Sequence, residues 1–81
     1  FAYETVRKRV ANALIEVAEK SHPAADNCTV RISREDLAAL AGTANETISR
    51  MLADFKEEKL ISKEGNAILI HSVDKLRHIK S

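Results

Sequence analysis

Asn45, Glu46, Ser49 and Arg50 are the residues whose types and spacing suit recognition chemistry. They open a segment in which Ile48, Met51, Leu52 and Phe55 recur at helical spacing. With Ile48, Leu52 and Phe55 turned inward, the four polar residues face outward on the first turns. A major groove about 12 Å wide admits an α-helix whose N-terminal residues touch base edges. Arg50 can donate two bonds to O6 and N7 of guanine, and Glu46 can accept from N4 of cytosine. Asn45 and Ser49 are short, polar and adaptable. The plainer alternative is a solvated helix face with a Glu46–Arg50 ion pair four residues apart, worth about 0.2–0.5 kcal/mol. For this face alone, both readings stand.

Positioning such a face takes several elements. Ser33 suits a helix N-cap, with Asp36 three residues on. Leu37, Ala38, Leu40 and Ala41 follow as a compact apolar face, and Gly42 can end the helix in a left-handed conformation. Ala38 and Ala41 let two helices cross closely. A second helix is predicted from Ala44 or Asn45 to about Lys59, roughly 20 Å long. This is a helix-turn-helix arrangement. Leu60–Ser62 and Ala67–Ile70 flank Lys63–Glu64–Gly65–Asn66 and read as a β-hairpin, a wing. Lys63, near the wing tip, would lie over a phosphate, which sets register and affinity rather than sequence; alone it would read as an exposed turn lysine. Ser33 and Arg34 open a helix whose end presents backbone N–H groups to an anion. The Thr43 and Thr47 hydroxyls lie close to the same surface.

The remainder completes a small domain. Residues 2–20 read as a helix with Val6, Val10, Ala13, Leu14, Val17 and Ala18 on one face, and Arg7, Lys8, Asn12, Glu16 and Glu19 mostly on the other. Pro23 ends it near His22. Ser21–Asn27 is a polar loop, and Cys28–Ile32 alternates as a short strand. Ser72 caps a last helical stretch with Val73, Leu76 and Ile79 on one face. The expected fold is α+β, mainly α: a winged helix with a three-helix helix-turn-helix core, a β-hairpin wing and a short C-terminal helix. Residues 1–81 form one domain, with the helix-turn-helix at about 34–58 and the wing at about 60–71.

Composition narrows the function classes. The 81 residues carry 13 Lys+Arg and 12 Asp+Glu, a net charge of +1, spread evenly along the chain. There is no polybasic tail, so any positive face must come from folding. A single cysteine, Cys28, excludes an internal disulfide. His22, Cys28, His71 and His78 match no zinc spacing, and no metal site or cofactor is expected in this domain. No nucleophile–base constellation or Gly-rich phosphate loop is present, so no catalytic residues and no enzyme activity are expected. No apolar run reaches the roughly 20 residues of a membrane span, and no signal peptide is visible. The chain begins at Phe1 and enters a helical pattern at once, so it is expected to be a piece of a longer protein. A winged-helix protein-interaction module is the alternative to a DNA-binding one; it would present a more apolar face than Asn45–Arg50.

The blocks Ile32–Ser33–Arg34–Glu35–Asp36–Leu37–Ala38, Leu40–Ala41–Gly42, Glu46–Thr47–Ile48–Ser49–Arg50–Met51–Leu52 and Leu60–Ile61–Ser62 resemble the Crp/Fnr superfamily of bacterial transcription regulators. The resemblance covers nearly the whole chain, and the Glu46–Arg50 block is its most specific part. It implies sequence-specific binding to double-stranded DNA by the helix 45–58, with Glu46 and Arg50 reading inner bases of a palindromic half-site. Ser49 matches the branch of the fumarate and nitrate reduction regulator. Ser33, Arg34, Thr47 and the wing around Lys63 match phosphate-contacting positions. Asn45 departs from both main branches, one of which has arginine there and the other valine. The resemblance further implies a cytoplasmic homodimer, with an effector domain and most of a dimerisation helix outside this sequence; Phe1 and Tyr3 would belong to the end of that helix. A cyclic nucleotide is one candidate effector. The loop Ser21–Asn27 corresponds to a region some members use to touch RNA polymerase, without a specific match here. No membrane partner is implied. With so little net charge, one copy is expected to bind weakly, and pairing two half-sites in a dimer restores affinity.

Overall fold

The computed structural model describes residues 2–79, so the expectation for Phe1 lies outside it. The elements run in the expected order: α1 (Ala2–Ser21), β1 (Cys28–Arg31), α2 (Arg34–Ala41), α3 (Asn45–Glu57), β2 (Ile61–Glu64), β3 (Ala67–Ile70) and α4 (Val73–Arg77). Mainly helical, with a helix-turn-helix and a wing, the chain has the fold class its sequence predicts.

α1 is the spine. It packs against α2, α3, α4 and β1, so its apolar stripe is wider than the six-residue pattern suggested. Ala11 and Ile15 are buried alongside Val10, Ala13, Leu14 and Ala18. Arg7 departs from its expected place on the solvent face. Its guanidinium sits 5.0 Å from the Phe55 ring centroid and donates to both carboxylate oxygens of Glu58 at 2.6 Å. A cation over an aromatic face, with its charge also paired, is a stable way to bury an arginine stem. The contact ties the start of α1 to the end of α3.

α2 is short because Gly42 stops it. Gly42 adopts φ 71°, ψ 40°, a left-handed conformation that only glycine takes at little cost. The Gly42 and Thr43 amides both donate to the Ala38 carbonyl, the latter at 3.0 Å. Leu37, Ala38 and Ala41 are buried as expected, but Leu40 is 49% exposed. At about 100° per residue, Leu40 falls well to one side of the arc those three define.

α3 ends two residues sooner than expected. Lys59 takes a left-handed φ of 63°; its amide donates to the Lys56 carbonyl at 3.0 Å, and the Leu60 amide donates to the Phe55 carbonyl at 2.9 Å. That pair of bonds is a Schellman closure built on a non-glycine residue.

The strand and the hairpin form one antiparallel sheet in the order β1-β3-β2. The wing is therefore anchored on the core by β1 rather than projecting as a free hairpin, which two strands alone would barely sustain. Its turn is Gly65–Asn66, with Gly65 at φ 59°. The turn is shorter than the expected Lys63–Asn66, which puts Lys63 on a strand. It lies inside β2, opposite Ile68, which in turn faces Val30. Directly paired residues share a face, so Lys63, separated from the turn by Glu64, sits near the wing tip on the inner face of the sheet.

α4 is pinned through the loop that follows α1. Asp26 Oδ1 accepts from the Asp74 amide at 3.1 Å, and Oδ2 accepts from the Ser72 hydroxyl at 3.0 Å. Lys8 Nζ donates to the Arg77 carbonyl at 2.8 Å, and Arg77 pairs with Glu19.

Gly42→Ala tests the turn in isolation, because a Cβ at this position meets nothing within 4 Å. The expected loss is about 1–2 kcal/mol of unfolding free energy, from left-handed backbone strain alone. Denaturant melts of the two proteins measure it; equal midpoints would remove the strain argument.

Candidate nucleic-acid interface

The orientation of α3 follows from its buried side. Ile48, Met51 and Phe55 are wholly buried and Leu52 is 4% exposed. The opposite side leaves Asn45, Glu46 and Arg50 exposed and Ser49 half-buried. The helix has an approximately two-sided character, and Glu46 and Arg50 lie near the middle of the outer stripe. Ala53, exposed one turn further on, continues that stripe. Alanine carries no signal by type, so the sequence does not mark it; its methyl suits contact with a thymine methyl group.

The first turn of α3 is open. Ala44 is its N-cap and supplies no side-chain acceptor. The first intrahelical bond runs from the Ile48 amide to the Ala44 carbonyl, leaving the preceding amides to face outward with the positive end of the helix dipole. The start of α2 is different. Ser33 Oγ accepts from the Asp36 amide at 3.1 Å, so the capping role predicted for Ser33 is filled and one of the amides offered to an anion there is already bonded.

A cleft of about 550 Å³ separates α3 from the wing. Ser33, Arg34, Asn45, Glu46, Ser49 and Lys63 all line it, so six of the nine residues singled out in the sequence converge. Arg50, Thr43 and Thr47 do not line it. Arg50 lies about 100° around α3 from Ser49, on the outer stripe, and Thr43 and Thr47 are half-buried at the turn and on the first helical turn. Glu35 and the turn residues Gly65 and Asn66 also line the cleft. Glu35 carried no signal beyond its place in the first turn of α2.

Arg34 is the unexpected member. Its Nη1 donates to Ser49 Oγ at 3.0 Å, linking the start of α2 to the outer face of α3. The Glu46–Arg50 ion pair weighed from the sequence is not formed: among the described residues, the side-chain bond that ties this face together is Arg34 to Ser49.

The histidines and the cysteine occupy other parts of the fold. His22 Nε2 lies 3.1 Å from the Thr29 carbonyl, His71 Nε2 lies 2.7 Å from Ser62 Oγ, and His78 Nδ1 lies 2.8 Å from the Asp74 carbonyl. Among the described residues no three His, Cys, Asp or Glu side chains gather as a metal site would require, and no helix is long and apolar enough to cross a membrane. Cys28 opens β1, packed against the core and half-buried. Burial pushes its thiol above the ordinary value, since desolvation disfavours the thiolate.

That shift gives a pH-dependent expectation. The folded thiol ionises at higher pH than the unfolded one, so its contribution to stability is present below the unfolded pKa and is lost as pH rises through the folded one. Alkylation of Cys28 by iodoacetamide near pH 8 should be slower in the native protein than in urea. Equal rates would show that the thiol is not desolvated.

Comparison with known proteins places the arrangement. Residues 8–79 match the Crp-like helix-turn-helix domain family. The cAMP-activated global transcriptional regulator CRP of Salmonella typhimurium is 28% identical over 74 residues, covering 86% of this chain and 34% of the relative. The CRP-like cAMP-activated global transcriptional regulator of Mycobacterium tuberculosis is 31% identical over 77 residues, covering 91% and 34%. Among solved structures, the Thermus thermophilus catabolite activator protein superposes with a TM-score of 0.81 at 31% identity, over 93% of this chain and 33% of that one. The chain spans about a third of the length of these relatives.

Proposed function

The chain belongs to the Crp-like helix-turn-helix family, the DNA-binding unit of transcription regulators, and from that premise we propose that α3 reads the major groove of a palindromic half-site. The observation that carries the reading is the polar outer stripe of α3, held at a fixed rotation by four buried residues. Arg50 donates to guanine and Glu46 accepts from cytosine, with Asn45 and Ser49 adjusting the choice of neighbouring bases. Ser33, Arg34, Thr43, Thr47 and Lys63 serve the phosphates, joined by the open amides at the start of α3. A protein-binding module is less well supported. Among the described residues the one large exposed hydrophobic is Leu40, and it does not line the cleft.

In the full-length protein we place this unit in a cytoplasmic homodimer whose effector binds outside these residues. Two of the relatives are named as cAMP-activated, which makes a cyclic nucleotide the first effector to test. RNA polymerase remains a candidate partner for the loop after α1. Asp26 is committed to α4, so such a contact would fall to its neighbours.

Selection of bound sequences from a randomised duplex library tests the reading. A recovered preference at defined base positions supports it; recovery of random sequence overturns it. On the selected duplex, Arg50→Ala should lose about 1–3 kcal/mol and relax choice at one base pair. Anisotropy titrations on selected and random duplexes measure this, and equal losses on both would remove Arg50 from base readout. Lys63→Ala should weaken both duplexes alike and lower the salt dependence by about one unit.

A further inference from the structure

We propose that Arg34 is a specificity-determining residue that acts through Ser49: by donating to the serine oxygen, it biases the Ser49 hydroxyl toward donating to the base. The inference rests on the DNA-binding reading and changes the role of Arg34 within it, from phosphate clamp to positioning residue for base choice.

The geometry supplies the argument. Arg34 is the first residue of α2, and Ser49 lies at the second turn of α3. Arg34 Nη1 donates to Ser49 Oγ at 3.0 Å, and both residues line the cleft beside the wing. Glu35 and Glu46 line the same cleft, yet among the described residues the side chain of Arg34 bonds the neutral hydroxyl rather than either carboxylate. Its placement also runs against helix electrostatics. A cation in the first turn opposes the helix dipole, whereas Glu35 and Asp36 beside it agree with the dipole.

A serine hydroxyl has one proton to donate and two lone pairs to accept with. Unassisted, it pairs with either kind of base edge, which is why serine reads bases weakly. A guanidinium can only donate. When it occupies one lone pair of Ser49 it withdraws electron density from the oxygen, weakening the remaining lone pair as an acceptor and strengthening the O–H as a donor, since hydrogen bonds in a chain polarise one another. The hydroxyl then favours acceptor edges: O6 and N7 of guanine, O4 of thymine and N7 of adenine. It disfavours the N4 amino group of cytosine. Arg34 need not touch a base to have this effect.

The test compares base preference at each half-site position for the unaltered chain, Arg34→Ala, Arg34→Lys, Ser49→Ala and the Arg34→Ala/Ser49→Ala double variant, by competition binding on duplexes differing at single positions. Arg34 is exposed and Ser49 is half-buried, and matching circular dichroism melts confirm that all variants fold. The expected result is one position where cytosine is disfavoured by up to about twofold, the change that polarising one hydrogen bond supplies. Arg34→Ala and Ser49→Ala each abolish that bias, the double variant loses nothing more, and Arg34→Lys retains part of it. Two results overturn the proposal: an unchanged preference in Arg34→Ala with uniformly weaker binding, which marks a phosphate contact, or additive losses in the double variant. If the unaltered chain shows no base preference at any position, the DNA-reading assignment fails together with the proposal.

Discussion

The rotation of α3 about its own axis is fixed by Ile48, Met51, Leu52 and Phe55, and the rest of the interface depends on that constraint. These side chains are buried in one cluster with Val10, Leu14, Leu37 and Ile68, so α3 cannot roll without exposing apolar surface at about 25 cal/mol per Å². The far end is held as well. Phe55 lies under the Arg7 guanidinium, Arg7 bonds Glu58, and the Leu60 amide closes the helix on the Phe55 carbonyl. One aromatic residue thus links the spine helix, the end of the reading helix and the entry to the wing. The open first turn of α3 is the counterpart of this arrangement: the helix is secured from behind and at its C-terminal end, and its N-terminal amides are left for a ligand.

The sheet performs the same service for the opposite wall of the cleft. Because β3 lies between β1 and β2, the hairpin is backed by a third strand, and its register with Ile68 and Val30 sends Lys63 toward the reading helix. The cation is therefore held across the cleft from Asn45, Glu46 and Ser49 instead of swinging on a turn. Affinity for a polyanion comes from where such charges are held, since a net charge of +1 supplies little long-range attraction.

Local patterns carried most of the fold into the sequence. The alternation of Cys28–Ile32, the Ser33 and Ser72 caps, Gly42 and the hairpin turn are each read within a few residues, and all lie where local chemistry puts them. What escaped depends on contacts far apart in the chain. The burial of Arg7 requires Phe55 and Glu58, some fifty residues on. Ala11 and Ile15 are buried only because helices approach α1 from several sides. Lys59 closes α3 in a conformation that its residue type does not announce. The exposure of Leu40 follows from the narrow arc α2 buries in only eight residues. In the interface, residue types located the reading face, but the Arg34–Ser49 bond joins two helices whose relative placement no spacing reveals.

The central claim is that DNA is engaged by one surface, composed of the starts of α2 and α3 and the facing wall of the wing. Amide chemical-shift mapping during titration with a selected duplex tests it most directly. The account predicts the largest changes at Ser33–Arg34, Asn45–Arg50 and Lys63–Asn66, with little change on the opposite side of the molecule. Changes concentrated instead at Arg9–Glu16 and Leu40, the shallow groove between α1 and α2, would contradict it.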